Sequence, residues 1–103
     1  MKILIIGAGR IGTSVAESLV SEDNDITVID KNPESISLLQ ARFDLRGIVG
    51  NALSPALLTE ASANDTDLLI AVTSSDETNL ATTLLADKLY RKIRMLGLDV
   101  EAM

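Results

Sequence analysis

Residues Met1–Asp30 read MKILIIGAGRIGTSVAESLVSEDNDITVID. An apolar run ends at Gly7-Ala8-Gly9-Arg10-Ile11-Gly12, a helical pattern comes next, and a second apolar run closes on Asp30. Strand, glycine loop, helix and strand in that order make a βαβ unit of roughly 30 residues. In such a loop the first glycine turns the chain sharply out of the strand and the second admits a pyrophosphate to the backbone. The third lets helix and sheet pack closely. The helix that opens there aims its free N–H groups and positive dipole end at an anion. A Gly-x-Gly-x-x-Gly alone is a weak signal, because glycines recur in any turn-rich chain. Here it follows a predicted strand, opens a predicted helix, and has an acidic residue about 20 positions on at the end of the next strand. Nucleotide binding is therefore the starting expectation.

Working outward, Lys2–Ile6 is apolar on both faces, which fits a buried central strand of a parallel sheet. Ile11, Val15, Ala16, Leu19 and Val20 recur at helical spacing from Arg10 to about Glu22, with Ser14, Glu17, Ser18 and Ser21 on the other face. Asp23-Asn24-Asp25 is turn chemistry before the strand Ile26–Asp30. Asn32-Pro33-Glu34 and Ser54-Pro55 each read as a helix cap followed by proline in the first turn. The first opens a helix that buries Ile36, Leu39 and Phe43, and the second opens the short helix Ala56–Ala61. Between them, Arg46–Val49 is a weaker third strand ended by Gly50-Asn51. After a turn at Asn64-Asp65, Asp67–Val72 is a fourth strand apolar on both faces. Ser74 with Glu77 reads as a capping box opening the last helix, whose apolar stripe is Leu80, Leu84, Leu85 and Leu89. The residues beyond that stripe fit two readings. Either the helix runs on through Ile93 and Leu96 to a Gly97 cap, or it stops at Tyr90 and Lys92–Leu96 is a short fifth strand. Alternating strands and helices predict a Rossmann-like, doubly wound α/β fold with a parallel sheet of order 3-2-1-4, with or without that fifth strand.

The chain has 103 residues, room for one domain over residues 1–103 but not for a cofactor domain plus a substrate domain. It holds neither cysteine nor histidine, which removes disulfides, thiolate and imidazole chemistry and the usual zinc sites. A net charge of −6 repels nucleic-acid backbones and anionic lipid, so neither is an expected partner. Met1-Lys2 leads straight into a strand, and no apolar run has the length of a membrane span, so the expected compartment is the cytosol.

Asp30 is expected to accept hydrogen bonds from ribose hydroxyls, and its charge would repel a 2′-phosphate, favouring NAD(H) over NADP(H). It does not separate NAD from ATP, ADP or AMP. Lys31 is either a residue that softens this discrimination or a solvated charge. Arg10 is either a phosphate ligand or a surface residue, although a cation at a helix N-terminus is otherwise unfavourable. Asp76 and Glu77 are read as helix-start carboxylates rather than acid/base or metal groups, and Tyr90 has Arg94, not lysine, four residues on. No catalytic residue and no metal ligand is assigned.

Met1–Gly12, Asn24–Asp30, Phe43–Arg46 and above all Ala71–Asn79 (AVTSSDETN) give the chain a further resemblance. From Met1 to about Tyr90 it resembles the N-terminal RCK domains, also called KTN domains, of the TrkA family of potassium uptake proteins. The resemblance implies a non-enzymatic regulatory domain that senses NAD(H) or ATP/ADP. Such domains lie at the cytoplasmic face of the membrane, assemble into dimers or larger rings, and act on a membrane-embedded potassium transporter subunit. It implies that Gly7, Gly9, Arg10 and Ile11 surround the phosphates, within the loop that also contains Ala8 and Gly12, and that Asp30 holds the ribose. Asn51 and Ala52 would lie near the adenine, with Thr73, Ser74 and Ser75 across the cleft. It also implies that the family's later strands, crossover helix and C-terminal lobe are missing, so the domain over residues 1–103 is expected to be truncated at its C-terminal end. A cofactor domain of an NAD-dependent oxidoreductase is the competing expectation, and a dimerising scaffold the third.

Overall fold

The computed structural model describes residues 1–20, 22–61, 65–89 and 94–97. Five strands and four helices alternate along it: β1 (Lys2–Ile6), α1 (Arg10–Val20), β2 (Asp25–Asp30), α2 (Pro33–Arg42), β3 (Arg46–Val49), α3 (Pro55–Glu60), β4 (Leu68–Ala71), α4 (Asp76–Leu89) and β5 (Arg94–Gly97). All neighbouring strands pair in parallel, in the order β3-β2-β1-β4-β5. Because β1 is central, its residues are buried on both faces: Ile3 and Ile5 point to one layer of side chains, Leu4 and Ile6 to the other. The first layer meets Ile11, Val15 and Leu19 of α1 with Ile36 and Leu39 of α2. The second meets Leu57 and Leu58 of α3 and Leu85 of α4. Two apolar layers, one on each side of a parallel sheet, are what doubly wound topology requires.

Local chemistry sets most of the boundaries. Asn32 caps α2 by accepting from the Glu34 N–H at 2.9 Å, and Ser54 caps α3 by accepting from the Leu57 N–H at 3.3 Å, each with proline next in the helix. Asn24 closes α1 by donating from Nδ2 to the Leu19 carbonyl at 3.0 Å, after Asp23 turns the chain with φ of 59°. The fifth strand pairs Arg94–Gly97 with Leu68–Ala71, which excludes a helix running on to a Gly97 cap. It starts two residues later than the pattern placed it. Ser21, Asn64, Tyr90–Ile93 and 98–103 lie outside the described residues.

The last helix departs from the sequence reading in two ways. Its cap is Ser75, whose hydroxyl accepts from the Thr78 N–H at 3.1 Å, so the Ser74/Glu77 box does not form. Its polar residues also face inward: Asn79 is 4% and Thr82 0% exposed, while Leu80 and Leu84 stand at 61% and 60%. Leu85 alone of the expected stripe reaches the core among residues whose side chains are described. The buried Thr82 Oγ1 has no hydrogen-bond partner among the described residues. A buried hydroxyl without a partner loses hydration and gains nothing back. Thr82→Val, which keeps the shape, is expected to raise stability by about 1 kcal/mol, read as a higher urea midpoint at unchanged m.

Candidate functional site

The order of the strands reverses between β1 and β4. The chain leaves β1 toward α1 on one face and leaves β4 toward α4 on the other, so a crevice opens at their carboxyl ends. At its floor Gly7 turns with φ of +115°, and a Cβ there would sit 2.9 Å from the Val72 carbonyl carbon and oxygen. A Cβ on Gly12 would overlap the Gly7 carbonyl, because α1 starts hard against the end of β1. Gly9 differs. Nothing lies within 4 Å of where its Cβ would be, so the backbone there is open to an incoming group.

Asp30 ends β2 beside this turn. One carboxylate oxygen accepts from the Ala8 N–H at 2.7 Å and the other from the Asn32 N–H at 2.8 Å. The acidic residue thus ties the glycine loop to the start of α2. The carboxylate has room for about four hydrogen bonds, so acceptor positions remain. Behind it, the Gly50 N–H donates to the Asp30 carbonyl at 3.0 Å, and Asn51 turns the chain by accepting from the Leu53 N–H at 2.9 Å.

The opposite lip is organised by Asn79. Its Oδ1 accepts from the Thr73 N–H at 2.8 Å and from the Thr73 hydroxyl at 2.6 Å, and its Nδ2 donates to the Thr73 carbonyl at 3.1 Å. The Thr73 oxygen also accepts from the Ser75 N–H at 3.2 Å. A helix residue six positions on therefore holds the β4–α4 loop by its backbone and side chain, leaving Ser74 exposed at the tip. Asn79 ends the Ala71–Asn79 stretch that carried the resemblance, but its three bonds to one residue were not legible. The spacing of a loop residue and a helix residue carries no periodic signal.

Between these lips lies a cleft of about 240 Å³. Nine of the expected residues line it: Gly7 and Gly9 on the turn, Asp30 with exposed Lys31, Asn51 with buried Ala52, and Thr73, Ser74 and Ser75. Four do not. Ala8 is buried and contributes its N–H to Asp30, and Gly12 lies under the turn. Arg10 and Ile11 instead line an open hollow beside Ser14, Leu68 and Ile70, on the α1 side of the sheet. Gly50 and Thr78 also line the cleft and were not anticipated. The rule that ligands gather at the carboxyl ends of parallel strands could have pointed to Gly50, the residue after β3.

At about 240 Å³ the cleft falls just below the range of ligand pockets, which run from about 300 Å³. Ile6, Ile29, Ala52 and Val72 give it an apolar floor, and polar groups converge at the rim. Among the described residues no group of three or more His, Cys, Asp or Glu is placed to hold a metal ion, and no helix is long and apolar enough to cross a membrane.

A five-stranded parallel sheet with a glycine turn at the point of reversal defines a Rossmann-type domain. Within that class the chain belongs to the TrkA-N domain family, whose model matches residues 3–97. It is 49% identical over 90 residues to the Trk system potassium uptake protein TrkA of Vibrio alginolyticus, covering 87% of this chain and 20% of that protein. The TrkA of Haemophilus influenzae is 52% identical over 80 residues, covering 78% and 18%. The chain thus spans about a fifth of the length of these relatives. Among solved structures, the TrkA-N domain of the inner membrane protein ybaL from Escherichia coli superposes with a TM-score of 0.86 at 22% identity, over 93% of this chain and 70% of that one. The Shewanella denitrificans Kef C-terminal domain in its AMP-bound form gives 0.81 at 24%, over 94% and 58%. These two report the fold, which oxidoreductases also share.

The glycines separate packing from ligand access. Gly12→Ala is expected to cost about 1–3 kcal/mol in chemical unfolding, from overpacking against backbone that cannot yield. Gly9→Ala, into open space, should leave stability unchanged to within about 1 kcal/mol.

Proposed function

We propose that residues 1–103 form a single nucleotide-sensing regulatory domain of a potassium uptake system, not an enzyme. Its ligand is an adenine nucleotide, NAD(H) or ATP/ADP. It acts from the cytoplasmic face on a membrane-embedded transporter subunit, as part of a homo-oligomer. The observation that carries the reading is the cleft itself, where an open glycine backbone, a fixed carboxylate and an apolar floor converge at the reversal of strand order. The names of the relatives supply the potassium system, and the AMP-bound Kef domain is a protein of the same fold that holds an adenine nucleotide. The chain's lack of His and Cys leaves the cleft without an imidazole base or a thiol nucleophile.

In this reading the adenine lies on the apolar floor by Asn51 and Ala52. The ribose hydroxyls donate to the acceptor positions Asp30 has left, and the phosphates lie over Gly9 toward the start of α1. Lys31 stays at the solvated rim. Ser74 and Ser75 face the far end of the ligand. Regulation is a population shift. A nucleotide that fits one arrangement of the assembly better favours that arrangement by its differential affinity, typically about 1–3 kcal/mol of coupling.

Asp30 gives the sharpest test. Calorimetry should find NADPH binding about tenfold or more weaker than NADH, a difference of at least ~1.4 kcal/mol, because a 2′-phosphate would meet the carboxylate. Asp30→Ala should narrow that gap. Equal binding of the two by the unaltered protein defeats this assignment, and hydride transfer to a substrate by the unaltered protein defeats the regulatory reading.

A further inference from the structure

A parallel sheet needs apolar cover on both faces, and on one face of this sheet the described cover stops short. There α1 and α2 pack over β1, β2 and β3, while α3 and α4 lie on the other face. Beside α1, over β4, this leaves an open hollow of about 600 Å³. Leu68 and Ile70 of β4 form its floor, and Ile11, Val15 and Leu19 of α1 form its wall. Leu68 and the three residues of α1 are only half-buried. Arg10 is the one charged residue among the described residues lining it, at the end nearest the glycine turn.

Residues 98–103, outside the described residues, follow β5 directly. They read Leu98-Asp99-Val100-Glu101-Ala102-Met103, apolar and acidic in alternation through Ala102. In an extended chain that alternation puts the apolar residues on one edge and the acidic ones on the other. We propose that this segment turns back over the end of β5 and fills the hollow, with Leu98, Val100 and Ala102 against α1 and β4 and Asp99 toward Arg10.

Reach and direction agree with this. β5 pairs with β4 and ends at Gly97 opposite Ala71, so the segment starts one strand away from the hollow. It starts at the carboxyl ends of the strands, which is also where Arg10 opens α1. Six extended residues span up to about 20 Å, and the 11 residues of α1 rise about 16 Å, so the segment can run the length of the helix. It is favoured over a second copy or another protein for two reasons. Its tether sets a local concentration on the order of millimolar. Its acidic positions also match the single cation at the mouth, whereas a second chain brings a further net charge of −6.

The chain has no cysteine, so single thiols report on the hollow. Ser14→Cys places one on its lining, and Glu17→Cys places one on an exposed position of α1 outside it. Ending the chain after Gly97 should speed maleimide labelling of the Ser14→Cys thiol about tenfold or more and leave that of Glu17→Cys unchanged. In the 103-residue chain, Arg10→Glu should likewise speed labelling of Ser14→Cys, and adding Asp99→Arg should restore protection. With Ser14→Cys and Val100→Cys together, a short bis-maleimide should link the two thiols within one chain, at a yield independent of protein concentration. Circular dichroism checks that each variant is folded, and should the shortened chain fail to fold, the charge exchange and the cross-link decide the matter in the 103-residue chain. Labelling of Ser14→Cys as fast with residues 98–103 as without them overturns the proposal. So does protection that appears only as protein concentration rises, which would mark a second copy as the cover, and so does a cross-link found only between chains or a charge exchange without rescue.

Discussion

At Gly7 the chain has to leave a buried strand, reverse into a helix and still pass the end of β4. The only route is a left-handed turn, φ +115°, in a gap walled by the backbone of Val72 and Thr73. Any side chain there would collide with peptide atoms rather than with a movable side chain. That constraint places the start of α1, which then closes over Gly7 so tightly that Gly12 also has no room for a Cβ. It also presses the loop after β1 against the loop after β4, backbone to backbone. The rest of the site is arranged around this fixed point.

Each lip is then held by one polar side chain acting on backbone. Asp30 joins the glycine turn to α2 through two N–H groups, and Asn79 holds Thr73 through three bonds. Both side chains come from a different element than the loop they restrain. A loop so tied loses little freedom when a ligand arrives, which lowers the entropy cost of binding.

How much of this the sequence carried depends on the range of the interaction. Asn32-Pro33 and Ser54-Pro55 announced α2 and α3 because a cap is satisfied within three residues, and Lys2–Ile6 and Asp67–Val72 announced central strands because both their faces are apolar. The last helix was found but turned the wrong way. Leucines at 80, 84 and 85 outweigh Asn79 and Thr82 on any hydropathy scale, and periodicity cannot register that Asn79 has hydrogen-bonding work to do at the base of the loop. Ser75 rather than Ser74 caps it for a related reason, since the two serines are equivalent until Thr73 fixes the path of the chain. The cleft was legible where it follows the ends of strands, at Gly7, Asp30, Asn51 and Thr73–Ser75. Arg10, which the sequence leaves open between phosphate ligand and surface residue, lines the hollow beside α1 and not the cleft.

The bond from the Ala8 N–H to Asp30 changes the inventory of donors. A glycine loop is usually thought of as a row of amides all turned toward an anion, yet here one member of the row is already spent inside the protein. For the proposed nucleotide, that leaves the amides of Gly9 and of the first turn of α1, where the dipole of an 11-residue helix converges. The acidic side chain at the end of β2 therefore has two effects at once. It ties the glycine turn to the start of α2, and by withdrawing the Ala8 donor it would move the seat of the proposed phosphate one residue further along the chain.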